Sequence, residues 1–221
     1  MKKLLTLLII SLLFYKGFTQ TNHFKAEYKL LVEESSEEDD LGFLADNTIS
    51  FCYSTDKSIV NAKAMGGMLQ TWIIDDFDSD SAIMLYELIG NKYLIRYEKD
   101  ASFNNSSSSY MELDSIVSFS YDETKKKTIL GYSCFLALAS LSNQKTAYFY
   151  VTEEVKSRFP NNNLEQLGLR GFPLEYYVIS EGVTSGYTIK SFSEEEGACT
   201  YDASYFKEIS PEEFSELMNS Y

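Results

Sequence analysis

From residue 24 onward, short runs rich in Val, Ile, Tyr, Phe and Thr recur between clusters of polar turn residues, the pattern of a β-rich chain. The runs predict eleven strands, over residues 24–33, 47–53, 58–64, 68–74, 82–89, 92–98, 115–121, 127–141 with a bend near Gly131, 146–151, 174–180 and 187–192. Mostly short connections between so many strands make an antiparallel sheet, and Gly90-Asn91 supplies a two-residue hairpin turn between two of them. Several strands are apolar on both faces: Tyr176 and Val178 alternate with Tyr177 and Ile179, and Met68, Trp72 and Ile74 with Leu69 and Ile73. A sheet with one solvated face alternates more cleanly. The second face therefore needs a cover, whether helices, a curled sheet or a bound apolar ligand.

Helix is confined to short pieces. Ser210-Pro211-Glu212-Glu213 places Ser at the N-cap, Pro at the first helical position and Glu where it can bond back to the cap. Phe214, Leu217, Met218 and Tyr221 follow at helical spacing, one apolar stripe that would dock on the sheet and close the core. A second helical turn or two is expected over 153–158, with Thr152 as cap and Pro160 as stop. Segments 35–40 and 104–109 are acidic or serine- and asparagine-rich, with too little apolar content to pack, and are expected to be solvated loops.

The N-terminus reads differently. Lys2 and Lys3 precede an uncharged apolar run over 4–14, far short of the roughly 20 residues that a membrane-spanning helix needs. This is the pattern of a cleavable signal peptide over 1–19, with Gly17 and Thr19 as the small residues of a cut before Gln20. No cysteine lies near that junction, so the mature chain, a single domain over 20–221, is expected to be a soluble periplasmic or secreted protein without a lipid or transmembrane anchor. Removing three lysines leaves 16 bases against 33 acids. A surface so acidic repels phosphate backbones and anionic headgroups, which disfavours nucleic acid as a partner and electrostatic attachment to membranes.

Three cysteines, Cys52, Cys134 and Cys199, leave at least one thiol unpaired within the chain. Cys134 shares a strand face with Tyr132, Leu136 and Leu138, so it is read as a buried thiol, leaving the other two free to pair. His23 is the only histidine, close to the mature N-terminus, so Ser and Cys nucleophiles lack their usual base and the chain is read as a non-enzyme. No cofactor pattern stands out: Gly66-Gly67 precedes a strand rather than a helix, and the spacing of paired zinc ligands is missing. The one metal-like pattern is Asp76, Asp78, Asp80 and Glu87, at positions 1, 3, 5 and 12 of a calcium loop. Ser81 replaces its turn glycine and the flanks read as strands, so the competing description is an acidic hairpin tip with Glu87 several residues away.

Four stretches resemble the LolA/LolB-like superfamily, the fold of the lipoprotein localisation factors. Lys127-Thr-Ile-Leu-Gly131-Tyr-Ser-Cys134 is similar to a stretch found in its secreted members, Tyr148-Phe-Tyr-Val-Thr-Glu-Glu154 to its strand and short helix, Leu167-Gly-Leu-Arg-Gly-Phe-Pro-Leu-Glu175 to its Gly-x-x-Gly-x-Pro-Leu-Glu turn, and Ile209-Ser-Pro-Glu-Glu-Phe-Ser-Glu-Leu217 to its terminal helix. The resemblance implies a mainly β fold, a curved antiparallel sheet or incomplete β-barrel wrapped on short helices, with an apolar concavity that in the name-giving carriers holds acyl chains. Within that superfamily the chain looks like its domains of unknown function. The matched segments are turns and strands rather than cavity positions, so no ligand-contacting residue is carried over. Two functions then compete: binding of a lipid or other apolar ligand in that concavity, and a protein–protein or structural role in the envelope without a small ligand.

Overall fold

The computed structural model describes residues 23–33, 46–99, 116–142, 145–157, 163–180, 183–194 and 197–220. The signal-peptide expectation, both polar loops and Tyr221 lie outside these residues. Twelve strands form one open sheet: β1 (Phe24–Glu33), β2 (Thr48–Tyr53), β3 (Lys57–Ala64), β4 (Leu69–Asp76), β5 (Ser81–Leu88), β6 (Asn91–Glu98), β7 (Ile116–Ile129), β8 (Tyr132–Leu141), β9 (Thr146–Thr152), β10 (Phe172–Ser180), β11 (Val183–Ser193) and β12 (Lys207–Ile209). Their order is β12-β6-β5-β4-β3-β2-β1-β11-β10-β9-β8-β7. All neighbours are antiparallel except β12, which runs parallel to β6. Two meanders, β2–β6 and β7–β11, meet on either side of β1, and the edge strands β7 and β12 do not pair with each other, so the barrel is incomplete.

Bulges bend the sheet. One lies opposite Glu27 and Tyr28, where β11 carries the extra residue Lys190, and a second in β10 between Pro173 and Glu175. The β10 bulge also settles how β9 can be apolar on both faces. Above it Tyr176 stands opposite Phe149, below it Phe172 stands opposite Thr152. Phe172 and Tyr176 share a parity, whereas Phe149 and Thr152 do not, so the extra residue exchanges the face that β9 presents. Phe149 and Val151 enter one apolar cluster with Tyr176, and Tyr150 packs against another with Phe172, Leu174, Cys134 and Phe24.

The second-face covers come from within the chain. The short helix α1 (Asn163–Gln166) and its flank place Leu164 and Leu169 on the cluster around Phe149. Cys199, Ala203 and Phe206 lie over Ile59, Ile74, Leu85 and Leu94, the face of β3–β6 opposite Val60 and Ile73. This strap is tied down by a Cys52–Cys199 disulfide, while Cys134 is a free, buried thiol.

The structure corrects five expectations. Residues 122–126, read as a break, continue β7 through a bulge against Leu136 and Phe135. Gly131 is not a bend within a strand but half of a two-residue turn with Leu130 between Ile129 and Tyr132. The β5–β6 turn is Ile89-Gly90 rather than Gly90-Asn91, because Leu88 pairs with Asn91. No helix forms over 153–157: the Thr152 hydroxyl does accept from the Glu154 amide at 3.2 Å, but the amides of Lys156 and Ser157 donate to the Glu194 carboxylate and Val155 turns into the core. At the C-terminus the capping box is present, with Ser210 N–H donating to Glu213 at 2.8 Å and Glu213 N–H to Ser210 Oγ at 3.1 Å. The helix it starts, α2 (Pro211–Met218), has no buried residue and touches the sheet through Phe214, edge-on to Tyr86. It trims the sheet edge rather than closing a core.

Candidate functional site

The strand registers assemble one face that no single strand reveals. Val60, Ile73, Met84 and Ile95 stand in a row across β3–β6. Ala62, Thr71, Tyr86 and Tyr93 form the row on one side, and Ser58, Asp75, Ala82 and Tyr97 the row on the other. Through Phe51 and Ile49 of β2 this face runs into the central core cluster, against which Val60 and Ala62 pack. Ile95, Ala82 and Tyr86 are buried, whereas Val60, Ala62, Ile73, Met84, Tyr93 and Tyr97 are only half-buried. An apolar surface thus extends outward from a filled core on a sheet that does not close, and it is in part accessible.

One end of the face is polar. Lys99 Nζ lies 2.6 Å from Asp75 Oδ1 and also donates to the Asp76 carbonyl. Burial, and then the Asp75 carboxylate, hold the Tyr53 hydroxyl well above its ordinary pKa, and burial raises Tyr97. Lys99 and Asp75 are paired with each other, and both hydroxyls are held protonated. The arrangement offers apolar area and hydrogen bonds.

Three of the four segments that resemble the LolA/LolB-like motifs meet elsewhere and serve structure, whereas the fourth, over 209–217, lies at the β6 edge, where Phe214 packs on Tyr86. Lys127 Nζ reaches both oxygens of Glu175, at 2.7 and 2.8 Å, beneath an exposure of only 5% for that glutamate, and sits 5.2 Å from the centre of the Tyr150 ring. Ser133 N–H donates to Glu154, and Arg170 pairs with Glu153 and Glu123 while lying over the Tyr121 and Phe135 rings. Cys134 belongs to the same neighbourhood. Burial pushes its thiol up to about 11, so it is protonated and weakly nucleophilic at neutral pH.

The calcium-pattern residues are separated. Asp76, Asp78 and Asp80 lie at the β4–β5 tip, where Asp76 Oδ1 accepts from the Asp78 amide at 3.2 Å. Glu87 lies near the other end of β5, six residues beyond Ser81 or about 20 Å at strand rise, and pairs with Lys92. Among the described residues no three His, Cys, Asp or Glu side chains are grouped as a metal would need.

No protein-family model matches this sequence, and no curated protein matches it. Several solved structures are similar to it. Lipoprotein LppX of Mycobacterium tuberculosis is 10% identical, with 89% of this chain and 98% of that one covered and a TM-score of 0.40. A LolA superfamily protein from Nitrosomonas europaea is 10% identical over 80% of this chain and 88% of its own, with a TM-score of 0.31. The Pseudomonas aeruginosa MucA/MucB complex contributes a match at 9% identity and a TM-score of 0.32, covering 83% of this chain and 54% of that one. This chain therefore spans about half of the latter.

The rows across β3–β6 were not visible in the sequence. Met68, Trp72, Ile74, Leu69 and Ile73 announced apolarity on both faces, but which residues face the covered side depends on where the turns fall. Residues such as Met84 and Tyr93 gain their neighbours only through register.

Proposed function

We propose that this chain is a non-enzymatic exported envelope protein that holds a lipid or single acyl chain against the half-buried face of β3–β6. The observation that carries this reading is the row Val60, Ile73, Met84 and Ile95, which continues the core outward onto an open sheet. An acyl chain needs non-directional apolar contact along its length, which such a row supplies, and a polar terminus could lie at the Asp75, Lys99 and Tyr97 end. Export rests on the N-terminal pattern, and a signal cut before Gln20 is part of the proposal.

Native mass spectrometry of protein taken from its host should show retained acyl material. Fatty acid added at about 100 times its Kd should stabilise the fold by about 2.7 kcal/mol, which at about 2–4 °C per kcal/mol raises Tm by roughly 5–10 °C. Ile73→Gln should remove most of that shift. Clean apo spectra together with an unchanged Tm would defeat the reading and leave an envelope protein–protein role in its place.

A further inference from the structure

Among the described residues, three that are not glycine adopt left-handed backbone: Met65 at φ 55°, Ile89 at φ 49° and Leu130 at φ 50°. Such turn positions favour Gly, Asn and Asp, and a β-branched residue there is a true outlier. All three are large apolar side chains in solvent, Met65 45%, Ile89 72% and Leu130 49% exposed. The usual reasons for an apolar residue are missing: none of the three is buried, and each strains its own turn. Strain that persists against local preference points to use.

Two of the three are brought together. The β3–β4 connection is Met65 to Met68, and the β5–β6 turn beside it is bonded to it through Ile89 N–H and the Met68 carbonyl at 2.9 Å. Met68 is itself 51% exposed, and Leu69 faces Leu88 just behind the turns. The result is one projecting tip of Met65, Met68 and Ile89. Behind it the register sets Lys29, Thr48, Lys63, Gln70, Glu87 and Lys92 in a row, three lysines against one glutamate on a chain of net charge −14.

We propose that this tip docks the protein on a lipid bilayer surface, inserting Met65, Met68 and Ile89 among the outer acyl carbons while the lysine row lies at the headgroups. The side chains argue for lipid over a protein socket. Thioether and aliphatic chains on a convex tip offer no directional group and no aromatic or arginine anchor of the kind that dominates protein interfaces, and they suit partition into a fluid apolar phase. The lysines supply the local charge complementarity that the acidic remainder of the molecule lacks. The docking is independent of whether the β3–β6 face carries a ligand.

The test is sedimentation with protein-free vesicles of phosphatidylcholine, alone and with one-fifth phosphatidylglycerol, using the mature chain. Wild type should sediment with both, and Met65→Asn/Ile89→Asn should bind at least tenfold more weakly. Asparagine tolerates left-handed backbone, so the same double variant should melt at a higher temperature than wild type. A purely structural role for these residues would move stability and binding together. Leu130→Asn is the matched control, because Tyr132 beside that turn contacts Phe192, which pairs with Ala26 at the opposite end of the sheet; it should relieve strain without changing vesicle binding. Wild type that fails to sediment, a double variant that binds as wild type does, or equal weakening by Leu130→Asn would each overturn the proposal.

Discussion

Glu175 illustrates how a buried charge constrains its surroundings. It is nearly inaccessible, and the cation facing it is Lys127, itself about half exposed. Replacing Lys127 by Met would leave a carboxylate in the core without its counter-charge, which costs on the order of 3 kcal/mol; the double change Lys127→Met/Glu175→Leu should recover much of that loss. Urea denaturation of the three proteins would measure it, and a single variant as stable as wild type would mean that the pair contributes nothing. Two nearby glycines differ in a similarly checkable way. Both Gly168 and Gly171 have positive φ, but a Cβ on Gly171 would lie 2.5 Å from the Thr152 carbonyl oxygen, whereas one on Gly168 meets nothing. Gly168→Ala should therefore cost about 1–2 kcal/mol from backbone conformation alone, and Gly171→Ala clearly more, because strand β9 must move. Cys134, buried and with a raised pKa, should react with iodoacetamide at pH 8 only after unfolding.

At the scale of elements, β1 matches its predicted span and eight further strands lie within about four residues of theirs, whereas β7 runs on to Ile129 and β8 starts only at Tyr132. Period-two alternation and β-branched composition are local properties, and they were legible. The two turn errors share a cause. At Ile89 and Leu130 an apolar residue occupies a left-handed turn position, and an apolar residue next to a strand reads as more strand. The turn was consequently displaced by one residue at Gly90 and read only as a bend within a strand at Gly131. The failed helix at 153–157 has a tertiary origin, since Glu194 lies 37 residues from the Ser157 amide that it accepts. β12 is three residues long and parallel to β6, and nothing in its own sequence announces it. The C-terminal helix was legible because its signal is a cap. Ser210→Ala should cost about 1 kcal/mol, visible as a small loss of stability with the sheet intact. The face offered as a ligand site was legible only as excess apolarity, because its membership depends on register across four strands.

At the scale of the molecule, the sheet's two meanders are held at the centre by β1 and at one side by the strap from Cys199 to Phe206. The strap covers Ile59, Ile74, Leu85 and Leu94, and the disulfide anchors its start to β2, so that bond should carry much of its attachment. Cys52→Ala/Cys199→Ala should lower stability by roughly 2–5 kcal/mol, with dye binding to the uncovered face at temperatures where wild type binds none. Unchanged stability would show that Phe206 on Trp72 and the β12 pairing suffice.

The same bond joins positions 147 residues apart in sequence and so closes most of the chain into a covalent ring. A protease that cuts once anywhere between the two cysteines would open the ring without releasing a fragment. The nicked protein should run as one species on a non-reducing gel and as two after reduction. With nine of the twelve strands, β3 through β11, lying wholly inside the ring, a protease could cut such a molecule and leave both pieces together on the same scaffold.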